Sequence, residues 1–221
     1  MDRYERAWRD FTSERSLEFG GHMDPGWQDG HTLSASLIVP VDIEPLRPRI
    51  EPLRETLEGM PFVSIHPDHF MHITLLPLGF LVPEPDKENE ISPERLSEVE
   101  AESKKVLADF PAFRVGLANL NAFPGAAFIE IYDRGKLDEL RNALCEGCNL
   151  KAAEGLPHLT LAYFHAPNGA PAPGELISGL AGFRKWPVGE VPVEHVDLTL
   201  LDLNSEYPAP ERLARMPLAK D

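Results

Sequence analysis

Cysteine is scarce in this chain: two in 221 residues. A small secreted scaffold held by disulfides needs more than one pair. Long apolar runs are absent as well, and nothing approaches the ~18 consecutive apolar residues that mark a membrane helix. The opening Met1-Asp2-Arg3-Tyr4-Glu5-Arg6 is too polar for a secretory signal. These absences predict a soluble, cytoplasmic chain, read as a monomer, with no membrane partner. Positive charge is also short. Against 36 Asp and Glu stand 21 Lys and Arg, a formal net charge of −15. Proteins that track long nucleic acid carry a basic stripe. No long nucleic-acid groove is expected, so a nucleotide ligand should be small or gripped at one end.

Proline, in contrast, is plentiful: 22 residues, scattered as loop punctuation. With 43% hydrophobic residues the chain can build one substantial core, or two lobes sharing one. Tyr4, Ala7, Trp8 and Phe11 fall at helical spacing, and turns around Gly20-Gly21 and Asp24-Pro25-Gly26 follow. Residues 1–31 are read as an N-terminal extension, packed on the surface or laid as a lid, and residues 32–221 as the main domain. In that domain the pattern predicts a strand over 33–41 and a helix over 46–57 that Pro52 kinks or delays. A loop or edge strand over 60–70, a strand over 72–78 and an acidic loop over 82–91 come next. Ser92-Pro93-Glu94 opens a helix with a capping hydroxyl, a proline at the first position and a carboxylate at the positive dipole end. Strands over 113–120 and 127–132, a helix over 134–148, a loop, a strand over 158–164, a helix over 175–183 and a strand over 194–203 complete the chain. This is an α+β arrangement in two halves.

Each half carries the same string. His72-Ile73-Thr74-Leu75 returns as His158-Leu159-Thr160-Leu161. With 8 His, 6 Thr and 29 Leu in the chain, chance placement gives roughly 0.03 such strings, so two copies point to a shared chemical purpose. Alternate side chains of a strand point to opposite faces. His72 therefore projects with Thr74, and His158 with Thr160, while Ile73, Leu75, Leu159 and Leu161 face the core. A pseudo-twofold axis relating the halves would bring the two polar pairs together across a groove. Two imidazoles facing one point suit acid–base work, because histidine titrates near neutrality. Threonine hydroxyls beside them can donate to the oxygens of an anionic centre. A phosphodiester fits such a site without metal or cofactor.

The residues His72-Ile73-Thr74-Leu75 followed by Gly79, and Pro157-His158-Leu159-Thr160-Leu161, resemble the two-histidine (2H) phosphoesterase superfamily, which includes bacterial proteins named as 2′-5′ RNA ligases and cyclic phosphodiesterases. The resemblance covers about residues 33–205. It implies a bilobal fold with two antiparallel-rich sheets, flanked by helices, around a central groove. It also implies opening of 2′,3′-cyclic phosphates on RNA ends or small nucleotides, with His72 and His158 as acid–base pair and Thr74 and Thr160 as phosphate ligands. Alternatives are 2′-5′ ligation of RNA and a catalytically silent nucleotide-binding module. Tyr163 stands where relatives often carry a basic residue, and Pro77 where an aromatic is common.

Weaker signals have plainer readings. Cys145-Glu146-Gly147-Cys148 extends an apolar helical stripe and reads as packed thiols, since one pair cannot complete a structural zinc site. His66-Pro67-Asp68-His69 matches no standard metal-ligand set and reads as loop. His195 with Asp197-Leu198-Thr199-Leu200 mimics the motifs with Asp in place of His, and reads as a core strand beside a motif strand. Tyr163 reads as core, or as a side chain holding a nucleobase.

Overall fold

The computed structural model describes residues 2–151 and 155–220. Residues 152–154, in the loop expected before the second motif, lie outside the described residues, as do positions 1 and 221. The chain opens with α1 (Arg3–Glu14), β1 (Ser16–Phe19), the single turn α2 (Pro25–Gln28), β2 (Leu33–Pro40), α3 (Arg47–Leu57) and β3 (Val63–Ile65). The first motif lies in β4 (His72–Leu81), followed by β5 (Glu90–Ile91), α4 (Pro93–Asp109), β6 (Phe113–Phe123), β7 (Ala126–Tyr132) and α5 (Lys136–Gly147). The second motif opens β8 (His158–Pro171); then come α6 (Gly174–Gly182), β9 (Pro187–Val193), β10 (His195–Asp202) and β11 (Glu211–Pro217). No helix among the described residues is long and apolar enough to cross a membrane.

The strands run in the order β11-β10-β2-β4-β8-β7-β6-β9. Each motif strand is innermost in its half, and the pairs along this path are antiparallel. The two motif strands pair with each other through one ladder pair, Ile73 opposite Leu159. The helices cover the far side: α4 and α5 on β11 and β4, α3 and α6 on β9 and β6. Ile73, Leu75, Leu159 and Leu161 point into that core and are buried. The alternation of a strand therefore turns His72, Thr74, His158 and Thr160 to the opposite, open face.

Local signals placed most elements. Ser92 caps α4 through its side-chain oxygen, which accepts from the Arg95 N–H at 3.2 Å. Pro52 sits inside α3 without ending it. Helix α5 starts two residues later than expected, because Arg134 and Gly135 both take left-handed backbone conformations. Several elements exceed the sequence reading. Strand β8 continues to Pro171, since β3 and β1 pair with its far half. Strand β1 is short, β9 is broken by Pro and Gly, and both are held by partners distant in sequence. Strand β3 falls within the 60–70 stretch read as loop or edge strand, and β11 adds a hairpin partner to β10.

Candidate active site

The junction pair fixes how the motifs meet. Extending the antiparallel register by one residue on either side of Ile73 and Leu159 sets His72 opposite Thr160, and Thr74 opposite His158. Opposite residues on one sheet face stand roughly 5 Å apart at Cβ, and diagonal ones roughly 7–8 Å. Each imidazole thus neighbours the other motif's hydroxyl. The two imidazoles lie on the longer diagonal, a gap that a phosphoryl group can bridge.

The rings are anchored identically. His72 Nδ1 lies 2.7 Å from the Phe70 carbonyl, and His158 Nδ1 lies 2.7 Å from the Leu156 carbonyl. A carbonyl only accepts, so each Nδ1 carries the proton and each neutral ring keeps its lone pair on Nε2. Aromatic edges hold the rings in place: Phe70 against His72, with Phe123 and Phe128 against His158. Burial pushes His72 below its ordinary value of 6.5, the bond to Phe70 opposes this, and the charge of His158 lowers it further. Burial likewise lowers His158, the bond to Leu156 opposes, and Arg141 adds to the depression.

Arg141, a buried side chain of α5, ties both motif segments together. Its Nε donates to the Leu75 carbonyl at 2.9 Å, and its NH1 to the Gly155 carbonyl at 3.1 Å. Nothing in the apolar spacing of α5 marks this role.

A cavity of about 320 Å³ opens on the first-motif side. His72, Thr74, Ser36 and Thr199 contribute to its sheet wall, and Tyr163, Phe70, His22 and Trp27 enclose it. His158 and Thr160 are not part of its lining; they stand across the junction. Tyr163 lies edge-on to His66, with ring centroids 4.4 Å apart. Gly21 seals the other side. A Cβ there would come within 2.5 Å of the Tyr163 ring, and its φ of +93° suits glycine alone. His22 is 4% exposed and bonds the Ser205 carbonyl through Nε2 at 3.0 Å. It sits in a turn without hydrophobic periodicity, so the sequence carried no signal for it.

The remaining candidates fall elsewhere. His66 is 2% exposed, with neither ring nitrogen hydrogen-bonded, boxed by Phe70, Tyr163 and Tyr207. His69 faces the Tyr207 carbonyl, and Asp68 pairs with Arg47 and Arg54. Cys145 and Cys148 are buried free thiols. Strand β10 pairs with β2 and β11, not with a motif strand. Asp197 is tied up by Arg215 at 2.8 and 2.9 Å, so it offers no free base, whereas Thr199 reaches the cavity.

Comparison with known proteins bears on the family and the fold. Residues 42–204 match the family described as the 2'-5' RNA ligase superfamily. No curated protein matches the chain by sequence. Among solved structures, TT0787 of Thermus thermophilus is similar at 20% identity and a TM-score of 0.60, over 85% of this chain and 99% of that one. A protein described as a phosphoesterase is similar at 17% identity and a TM-score of 0.60, over 84% and 98%. LigT of E. coli, solved in complex with 3'-AMP, is similar at 17% identity and a TM-score of 0.58, over 85% and 99%. At such identities the likeness is one of fold. The family match spans most of the chain and encloses both His-x-Thr strands, so the chain belongs to the 2'-5' RNA ligase superfamily of two-histidine phosphoesterases.

Proposed function

We propose that this protein is a metal-independent phosphodiesterase that opens 2′,3′-cyclic phosphates of small nucleotides or RNA ends. The observation that carries the reading is the matched anchoring of His72 and His158 through Nδ1, which leaves an equivalent Nε2 on each side of the junction. The neutral imidazole takes a proton from water at Nε2 as the water oxygen bonds to phosphorus. The protonated imidazole gives its Nε2 proton to the ribose oxygen whose P–O bond breaks. Thr74 and Thr160 donate to the non-bridging oxygens as charge builds there. That LigT, similar in fold, is solved with 3'-AMP and with ATP supports a small nucleotide as ligand.

The test is turnover of nucleoside 2′,3′-cyclic monophosphates by the purified protein in EDTA. His72→Ala and His158→Ala should each lower the rate by about 10²–10⁴, and the double variant should be little worse than the worse single one. Unchanged turnover in either single variant would remove that histidine from the mechanism. Loss of activity in EDTA, with recovery on adding Zn²⁺ or Mn²⁺, would make the histidines metal ligands instead.

A further inference from the structure

Resting on that reading, we infer that the site selects a phosphodiester carrying a single uncharged nucleoside-sized group, seated in the cavity on the first-motif side, and excludes the body of an RNA chain. Three observations carry this.

On the second-motif side the open face is already covered. Phe128 stands opposite Thr160, and Asn121 opposite Phe128, so these side chains share the face of the second motif. Helix α1 lies on it. The Tyr4 ring packs on Phe128 and Tyr132 at 6.5 and 5.7 Å, and Asn121 donates to the Tyr4 carbonyl at 3.0 Å. The recess left beside α1 sets Arg3 and Arg6 against Asp10 and Glu14, so it offers a polyanion no net attraction.

On the first-motif side a cavity remains, and its chemistry is that of a neutral ligand. Its lining includes the hydroxyls of Ser34, Ser36 and Thr199 but, among the described residues, no Lys, Arg, Asp or Glu. Sugar hydroxyls and a base find partners there, whereas a second phosphate finds no cation. Its volume of about 320 Å³ is at the small end for ligand pockets. The third observation concerns ownership. Helix α1, Gly21, His22 and Trp27 all precede residue 42, where the family match begins, so the N-terminal segment supplies the cover on the second-motif side and part of the cavity wall on the first.

The experiment compares three substrates on the full chain: a nucleoside 2′,3′-cyclic monophosphate, its 5′-phosphorylated form, and a trinucleotide ending in the cyclic phosphate. The expected kcat/KM falls in that order, by about tenfold or more from first to last, a tenfold step being about 1.4 kcal/mol. Equal or faster turnover of the trinucleotide overturns the inference. Leu201→Arg adds a cation to the cavity lining and should narrow the gap between the first two substrates; an unchanged gap overturns the charge argument. If none of the three is turned over, the catalytic reading fails, and calorimetry still decides this one. A nucleoside 3′-monophosphate binding tighter than a trinucleotide 3′-phosphate supports it, and the reverse order overturns it.

Discussion

Thr74 and Thr160 differ from Thr199 in what their hydroxyls face, although all three follow the pattern polar-Leu-or-Ile-Thr-Leu on a strand. The first two flank the junction where the imidazoles meet. The third gives its hydrogen to the Ser36 carbonyl at 3.3 Å, one strand further out. Thr74→Val and Thr160→Val keep shape and remove a donor, so each should lower kcat by up to about 10²–10³. Thr199→Val should leave kcat nearly intact and show, if anywhere, in KM. Steady-state kinetics of the three variants checks this, and a largest kcat loss at Thr199 would misplace the site. The four motif residues were legible because they repeat. His22 and Ser36 were not, since one lies in a glycine-rich turn and the other is an ordinary serine in a buried strand. Only the folded chain brings them to the cavity.

At the scale of elements, α5 joins the two motif segments through Arg141. Replacing it by Met fills similar space but takes the donor from the Leu75 carbonyl, at a cost of about 1–3 kcal/mol if that buried group is left unpaired, whereas the exposed Gly155 carbonyl keeps its bond from Arg3. The same change removes a positive charge that holds the His158 imidazole down. The rate should form a bell, since one histidine must be neutral and the other charged, and burial of both places its optimum on the acid side of 6.5. Arg141→Met should move one limb of that bell toward alkaline pH. A pH–rate series on both proteins measures the shift; a limb moving toward acid would refute the electrostatic part. Helix α4 and the motif strands could be read from caps and alternation, which are local. Strand β3, with three residues, and β9, with Pro187, Gly189 and Pro192, carry no such signal. Their pairing with β8 and β6 is what makes them strands.

For the whole molecule, histidine couples fold to pH. Burial holds His66 well below its ordinary value, and lowers His22, His72, His158 and His195. The unfolded chain takes up protons below about pH 6.5 that the folded chain refuses, so stability drops on acidification. His31 works the other way. Its hydrogen bond to Glu90 raises it, so its contribution is present below 6.5 and fades as pH rises through the raised value. With five such groups against one, the melting temperature should fall between about pH 6.5 and 5, each proton refused by a fully buried ring contributing up to about 1.4 kcal/mol per pH unit. His66→Phe should flatten that slope in thermal unfolding followed by circular dichroism; a melting temperature that climbs on acidification would contradict the argument. The two site histidines have one more property. Their rings are steered by carbonyls of the main chain at positions 70 and 156, and every amino acid supplies one. Mutational drift in side-chain identity at those positions leaves the acceptor in place, so the tautomer of each imidazole is inherited with the backbone and is robust to most single-codon changes around it.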